Sequence, residues 1–365
     1  MKAAICYEVN KPLVVEDGVT VAPPGKGEVK VRVAVTAVCH SDLHFISGEI
    51  PSQLPGLAGH ETAGYIDEVG EGVTSLKKGD TVVVGTVTSG CGHCYYCTIG
   101  KRHYCVERNA FGNPKHKNNK GVPLTLMAGP VGGFAEYTTV PAALVTKIPQ
   151  DIPLDRACLL ACGVTSGFGA VVNRAKVPAM SSVVVVGTGG VGLNSIQGAA
   201  FSGAYPVIAV DVLDSKLKTA KTFGATHTVN ITKEKDPVKA VREMTSGRGA
   251  DYVFVTVGKV EAIRMGFSMC GDMGMTVVVG LAGGNMAAFE PMEFVFTEKI
   301  LTGCGGGSLR SSIDIPYLVS LYKAGKLKLD ELISGHYPLA KINDAIDSLK
   351  KGEALRNIIT FKNSL

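Results

Sequence analysis

The pattern of apolar and polar residues predicts strands in the N-terminal part of the chain. Short β-branched runs alternate there with turns that contain Gly and Pro, which is typical of strands and their connections. The runs lie at residues 3–5, 13–15, 29–35, 65–69 and 81–84, and a further run lies at 137–140. We therefore predict an all-β module, in which the segment that begins at residue 39 follows the longest strand directly and lies on a loop.

The pattern changes from residue 183 onwards, where strands and helices are predicted to alternate. The predicted strands are 183–187, 207–211, 227–229, 252–257, 276–280 and 300–303, and the helices between them include 193–202 and 214–223, the latter capped by Asp214 and ended by Gly224. A run of valines such as 183–186 is typical of a strand buried on both faces. Six strands with helical crossovers predict a doubly wound parallel sheet.

The C-terminal part again has a different pattern. Residues 316–324 and 342–350 are predicted to be helices. Residues 357–361 are predicted to form a strand that returns to the N-terminal module.

Composition narrows the class of protein. A chain of 365 residues with 45% hydrophobic and 19% charged residues suits two globular domains. The net charge is only +5, and the basic cluster at 115–120 lacks aromatic residues, so we expect a solvated loop and no nucleic-acid partner. No signal-like segment and no apolar run of spanning length is found, so we expect a cytoplasmic protein without a membrane partner.

A first metal site is indicated by Cys39 and His60, since thiolate and imidazole are both good zinc ligands. A buried thiol and a core histidine are the alternative. Ser41, Asp42 and His44 place a hydroxyl, a carboxylate and a second imidazole close to the thiol, as groups that orient metal ligands are placed. These neighbours favour a zinc site with an open position.

A second metal site is indicated by cysteine spacing. Cys91, Cys94, Cys97 and Cys105 can close a tetrahedral shell of four thiolates, which leaves no position for substrate. Disulfides or a redox pair are the alternatives, but three cysteines spaced by two residues cannot all pair locally. We predict a structural zinc.

A dinucleotide site is indicated by the run Gly187-Thr188-Gly189-Gly190-Val191-Gly192 between a predicted strand and helix. These glycines allow close approach of a pyrophosphate to the helix N-terminus. Asp211 ends the next strand, where a carboxylate binds a ribose diol and disfavours a 2′-phosphate, and Lys216 can reach the same ribose. We expect NAD rather than NADP. A dinucleotide beside an open zinc site favours redox chemistry over hydrolysis.

The Gly-His-Glu motif, the four-cysteine run and the Gly-x-Gly-Gly-Val-Gly motif, in this order, resemble the zinc-dependent medium-chain alcohol dehydrogenases, in their class I/III-like branch. The resemblance implies a GroES-like catalytic domain with both zinc sites at 1–163 and 305–365, and a Rossmann domain at 164–304. It also implies a homodimer or homotetramer. The edge strand 300–303, preceded by 292–296, is expected to pair with its twin.

The resemblance also completes the first metal site. Cys158 and Cys162 both remain candidates for the third ligand by spacing, and the segment around Cys162 is similar to the ligand segment of the family. By the same resemblance, Asp42 is the partner of His60, and Glu61 lies behind the metal.

Four further residues receive roles from the resemblance. His40 and Arg356 are expected to contact the cofactor pyrophosphate. Ser41 and His44 resemble the proton relay of the family, and the ordinary pKa of histidine, about 6.5, suits a base near neutral pH.

The substrate is expected to be a primary alcohol or its aldehyde, with medium-chain or aromatic compounds favoured because Val87 is small. The alternative is S-(hydroxymethyl)glutathione, since residues 163–197 resemble the branch that includes glutathione-dependent formaldehyde dehydrogenase. That branch has tyrosine where this chain has His44 and an acid where it has Ile50, although Glu49 is adjacent. A non-enzymatic zinc-ribbon or structural protein is disfavoured, since nothing structural requires an open metal site.

Overall fold

Two units of the chain can be described separately in the computed structural model, which describes residues 1–107, 115–283, 286–352 and 354–361. The first unit consists of Met1–Cys162 and Arg310–Leu365, and the second of Gly163–Leu309. All ten cysteines are free thiols.

The first unit is built around the long strand Glu28–Val38. This strand pairs antiparallel with Glu61–Val69, Tyr137–Pro141 and Arg356–Thr360 in a seven-stranded sheet. The predicted return of the C-terminal strand is therefore confirmed. The other strands of this unit are Ala3–Cys6, Val14–Glu16, Thr20–Val21, Gly56–Leu57, Thr81–Val84, His116–Lys117, Thr125–Leu126, Val145–Lys147 and Ile333–Pro338.

Helices of the first unit lie between its strands, and Ser311–Lys323 is the longest of them. They are His40–Ile46, Tyr95–Thr98, Leu154–Ala157, Ser311–Lys323 and Ile342–Lys350, with 3₁₀ turns at Arg102–Tyr104, Ala142–Leu144, Cys158–Ala161, Asp330–Leu332 and Leu339–Lys341.

Two expectations for these helices are wrong in detail. Residues 40–46 form a helix rather than a loop, because the Asp42 carboxylate accepts the Cys39 N–H at 3.0 Å and closes the first turn. The helix predicted from 316 begins at Ser311, where Asp314 accepts the Arg310 N–H at 2.8 Å. Pro316 therefore lies inside this helix and does not start it.

The second unit contains the predicted six-stranded parallel sheet. Its strands in chain order are Val183–Val186, Val207–Asp211, His227–Asn230, Ala250–Val255, Cys270–Val278 and Ile300–Gly303. In space the order is third, second, first, fourth, fifth and sixth, with every neighbouring pair parallel. The doubly wound sheet is confirmed, and the reversal of strand order at its first strand creates the crevice where such sheets bind ligands.

Helices of the second unit are Gly163–Gly169, Ala170–Ala175, Gly190–Phe201, Asp214–Thr222, Pro237–Met244, Val260–Met269 and Pro291–Thr297, with a 3₁₀ turn at Gly306–Ser308. Asp214 was expected as a cap, which is wrong. Leu213 occupies that position, and the Asp214 carboxylate instead accepts from Asn230 and Lys233.

Among the described residues, no single helix has both the length and the apolar composition needed to span a membrane, and only the bent pair Leu154–Ala161 with Gly163–Ala175 meets that test when taken together.

His116 is buried completely in the first unit and lies in the strand His116–Lys117, so the expectation of a solvated loop at 115–120 is wrong at this residue. Its ring Nε2 lies 3.1 Å from the Tyr137 carbonyl oxygen and donates to it. Burial lowers the pKa of His116 from 6.5 to about 4, against a smaller opposite effect of that hydrogen bond.

We expect His116 to make the first unit less stable in mild acid. As pH falls below 6.5 the unfolded chain binds a proton that the folded chain does not, so unfolding becomes easier until about pH 4. Between pH 7.5 and 5.5 this should cost about 1 kcal/mol. Urea unfolding of His116→Gln should show a shallower loss over this interval, whereas the partly exposed His227→Gln should match the unchanged chain. Equal slopes for all three proteins would contradict the assignment.

Candidate metal and cofactor sites

Asp42 organises the first metal cluster from the first turn of helix His40–Ile46. Its carboxylate is fully buried. One oxygen, Oδ1, accepts the ring Nδ1–H of His60 at 2.9 Å and the backbone N–H of Gly59 at 2.9 Å, while Oδ2 accepts the Cys39 N–H at 3.0 Å. The His60 contact fixes the tautomer that leaves Nε2 free to bind a metal. Asp42 thus orients an imidazole and the backbone of a thiol together.

Ligand atoms of Cys39, His60, Glu61 and Cys162 lie within 4.8 Å of one another, all in the first unit. Cys39 directly follows the strand Glu28–Val38, and His60 directly precedes the antiparallel neighbour of that strand, Glu61–Val69. Cys162 follows the 3₁₀ turn Cys158–Ala161. Two thiols, an imidazole and a carboxylate are the donor types that zinc prefers, so this set fits zinc.

The pKa values of the two thiols in this cluster are shifted in opposite directions. The hydrogen bond from Cys162, together with the charge of His60, holds the pKa of Cys39 well below its usual value, and that same bond and burial raise the pKa of Cys162. Burial alone would lower the pKa of His60, but Asp42 and the thiolates raise it well above its ordinary value. The cluster therefore concentrates negative charge, which a cation neutralises.

Glu61, one of these four residues, forms a buried pair with Arg356. The Arg356 Nε lies 3.2 Å from Glu61 Oε2, and both side chains are almost completely buried. Burial raises the pKa of Glu61 to about 8, which the guanidinium offsets only in part. Arg356 also donates to the Leu355 carbonyl at 2.8 Å, and its expected contact with a pyrophosphate stays a prediction.

Cys158 lies outside this group of ligand atoms. It begins the 3₁₀ turn Cys158–Ala161, and its buried thiol donates to the Asp155 carbonyl at 3.3 Å. Cys162 follows the turn with φ −146°, so the two cysteines do not share one helical face. Of the two candidates left open by spacing, only Cys162 is brought to Cys39 and His60.

Ser41 and His44 lie one turn apart on helix His40–Ile46. The Ser41 hydroxyl is 3.8 Å from the Cys39 sulfur. The His44 Nδ1 is 2.6 Å from a carboxylate oxygen of Glu49. This partner of His44 was missed by sequence reasoning, although an acid five residues after an imidazole at a helix end is a usable signal. His40, the first residue of the helix, is exposed.

Cys91, Cys94, Cys97 and Cys105 bring their sulfur atoms within 4.8 Å of one another. A tetrahedral zinc with bonds of about 2.3 Å needs sulfur atoms about 3.8 Å apart, and those of Cys91 and Cys97 are 4.0 Å apart. The backbone N–H groups of Val106 and Cys97 lower the pKa of Cys94 to about 6. The four thiols therefore fit a closed zinc shell.

The glycine-rich turn of the second unit has the shape that its sequence predicts. Gly187 has φ +89°, a conformation that favours glycine, and a Cβ on Gly192 would lie 1.8 Å from the Gly187 carbonyl oxygen. Gly189 faces open space and precedes helix Gly190–Phe201, whose N-terminus has no side-chain cap. Val191 lies in the first turn of this helix. The uncapped N–H groups fit a pyrophosphate.

Asp211 lies at the end of its strand beside this turn. Its Oδ2 accepts from the backbone N–H of Thr188 at 2.7 Å and from its hydroxyl at 2.9 Å, and Oδ1 accepts the Val212 N–H at 2.7 Å. The link to Thr188 was missed by sequence reasoning, because it joins the glycine-rich turn to the end of another strand. Lys216 is half-buried on the following helix, Asp214–Thr222.

Two family models match the chain. The one described as "Alcohol dehydrogenase GroES-like domain" matches residues 25–150, and the one described as "Zinc-binding dehydrogenase" matches residues 190–324. The first lies in the unit with the two cysteine clusters, and the second begins within the glycine-rich turn.

Known proteins align over nearly the whole chain. "Alcohol dehydrogenase class-3" of Zea mays is 39% identical, covering 99% of this chain and 97% of its own, and that of Pisum sativum is 38% identical over 98% and 97%. A solved alcohol dehydrogenase zinc-binding domain protein from Burkholderia ambifaria has a TM-score of 0.92 at 32% identity, covering 98% of each chain. Benzyl alcohol dehydrogenase from Acinetobacter calcoaceticus has a TM-score of 0.90 at 32% identity, covering 99% of each chain.

The matches agree with the resemblance that the motifs carry and confirm it. The chain belongs to the zinc-dependent medium-chain alcohol dehydrogenase family and is a zinc-dependent alcohol dehydrogenase.

Proposed function

We propose that the chain transfers hydride reversibly between a primary alcohol and NAD, with medium-chain or aromatic alcohols favoured. The observation that carries the proposal is the grouping of Cys39, His60 and Cys162 around one point, with Asp42 orienting the imidazole. When bound, the zinc supplies a Lewis acid for the substrate oxygen, and NAD accepts the hydride.

Two zinc ions per chain are proposed, with separate tasks. Cys39, His60 and Cys162 would hold the catalytic ion, with Glu61 adjacent and Arg356 behind it. The structural ion would be held by Cys91, Cys94, Cys97 and Cys105. Three ligands leave a position open for substrate, whereas four thiolates leave none.

The preference for NAD is proposed from the charge of Asp211. Its oxygens are already engaged by Thr188 and Val212, so the carboxylate is held rigidly and cannot turn away. A 2′-phosphate would bring a like charge to this edge of the sheet. We further propose that the pyrophosphate lies at Gly187–Gly192, with His40, Lys216 and Arg356 as additional cofactor contacts.

Ser41 and His44 are proposed to move the proton. Oxidation of an alcohol releases its hydroxyl proton as well as the hydride, so the proton must reach solvent. The Ser41 hydroxyl lies beside the Cys39 thiol, and His44 is partly exposed one turn further along the helix. Glu49 holds Nδ1–H of His44, so Nε2 is left as the basic atom.

The contact of Glu49 also bears on the substrate. Its carboxylate is engaged by His44 and is the acid nearest in sequence to Ile50. This favours a simple alcohol over a glutathione adduct. The names of the relatives do not decide between a simple alcohol and a glutathione adduct, since they include class-3 alcohol dehydrogenases and a benzyl alcohol dehydrogenase.

We also propose a homo-oligomer in the cytoplasm. Ile300–Gly303 is an edge strand of the second unit, and Met292, Val295 and Phe296 before it are exposed by more than half. An edge strand beside exposed apolar residues suits pairing with a second copy. The free state of all ten cysteines suits a reducing compartment.

The proposed reaction is tested by NADH formation at 340 nm with benzyl alcohol, hexanol and ethanol. We expect higher kcat/KM for benzyl alcohol or hexanol than for ethanol, weaker activity with NADP, and loss of activity after zinc is removed with a chelator. Readdition of zinc is the control. A preference for ethanol would contradict the substrate class, and turnover only with formaldehyde plus glutathione would favour the alternative.

Asp211→Asn should shift the coenzyme preference. Removing the charge while keeping the side-chain shape should lower the ratio of kcat/KM for NAD to that for NADP about tenfold, which corresponds to about 1.4 kcal/mol. Asp214→Asn is the matched control, since this nearby acid binds Lys233 and Asn230. An unchanged ratio in Asp211→Asn would contradict the role of the charge.

His44→Gln should slow alcohol oxidation about tenfold at pH 6.5 and much less at pH 9, where hydroxide accepts the proton directly. Glu49→Gln keeps an acceptor for His44 Nδ1–H and should remain close to the unchanged enzyme, whereas Glu49→Ala should lose part of the rate. The measurement is the pH profile of kcat. A uniform loss at every pH would indicate a merely structural role for His44.

A further inference from the structure

A second group of metal-ligating atoms adjoins the four-cysteine cluster. Cys91, His93 and Glu107 bring a sulfur, a ring nitrogen and a carboxylate oxygen within 4.8 Å of one another. Sulfur, imidazole and carboxylate are together the donor types that zinc prefers. The side chains of His93 and Glu107 are 76% and 52% exposed, whereas Cys97 and Cys105 of the inner shell are buried. The outer group therefore lies on the solvent side of the inner one.

His93 is already oriented as a metal-binding histidine is. Its Nδ1 lies 3.1 Å from the Cys91 carbonyl oxygen and donates to it. Its other nitrogen, Nε2, lies 3.3 Å from a carboxylate oxygen of Glu107. Histidines that bind metals generally donate their second ring N–H to a carbonyl or carboxylate, which fixes the ring. Nε2 and the Glu107 oxygen are thus close enough to bind the same ion.

Cys91 belongs to both groups of ligands. An ion held by Cys91, His93 and Glu107 can stay bound to the Cys91 sulfur while its other ligands are replaced. The sulfur atoms of Cys94, Cys97 and Cys105 then bind one after another, and His93 and Glu107 are released. Stepwise exchange avoids releasing a bare ion to water, and this lowers the barrier in both directions. The intermediate leaves the affinity of the completed shell unchanged, because its end states are the same.

We propose that Cys91, His93 and Glu107 form a loading site through which zinc enters and leaves the four-cysteine shell. The proposal rests on the structural zinc proposed above. It gives a function to His93 and Glu107, two residues that have no role in the alcohol dehydrogenase reaction.

The test measures zinc exchange in the intact enzyme. Release into an excess of a chromogenic chelator, and zinc uptake by the reduced apoprotein, are followed for the unchanged enzyme, His93→Gln and Glu107→Gln. Each substitution should slow both processes about tenfold while the zinc content at equilibrium stays the same. The release phase of the structural ion is identified as the one missing in Cys97→Ser.

Matched controls are Glu68→Gln, an exposed carboxylate in the same unit, and His227→Gln in the second unit. Both should exchange zinc at the unchanged rate. Unchanged rates in His93→Gln and Glu107→Gln would overturn the loading site, as would a lower equilibrium zinc content in either variant. If Cys97→Ser retains all the zinc of the unchanged enzyme, the structural zinc itself is overturned, which separates this failure from that of the loading site.

Discussion

The hydrogen bonds of the buried Asp42 carboxylate are the contacts on which the cluster of Cys39, His60 and Cys162 depends. It accepts hydrogen bonds from the His60 ring, from the backbone N–H of Cys39 and from the backbone N–H of Gly59, so a single side chain ties Cys39 to His60. The same carboxylate closes the first turn of helix His40–Ile46, which carries Ser41 and His44. Leaving a buried charged partner without its counterpart costs about 3–5 kcal/mol. The same side chain therefore fixes the positions of the ligands, of the helix and of the proposed relay residues.

The return of the C-terminal strand completes this site. Arg356–Thr360 pairs with Glu28–Val38, the strand that leads to Cys39, and its first residue places a guanidinium against Glu61. Two thiols and two carboxylates are concentrated here, so a buried cation from the last part of the chain reduces their repulsion. Arg356, near the end of the chain, thus stabilises charged groups that lie in its N-terminal part. This explains why the first unit is assembled from both ends of the chain.

Much of the fold could be predicted from the sequence because it depends on local patterns. The β-branched runs and the glycine-rich turn predicted the six parallel strands, and the structure confirms them. Helix His40–Ile46 was missed because Cys39 is an unusual residue before a helix and its start depends on the Asp42 side chain. The roles of individual site residues stay predictions. Glu49 was not predicted as the partner of His44 although the two are close in sequence, and Thr188 was not predicted as the partner of Asp211 because the two are far apart in sequence.

The two metal clusters differ in how far apart their ligands lie along the chain, and their other properties follow from this. Cys91 to Cys105 lie in one short segment, so closing that shell costs little chain entropy and its spacing is readable from sequence alone. His93 and Glu107 lie at the exposed side of this segment. Cys39, His60 and Cys162 meet only when the sheet of the first unit is complete, and Cys39 and His60 are buried. A catalytic metal needs such a rigid and desolvated place, whereas a structural metal has to be reachable from solvent during assembly.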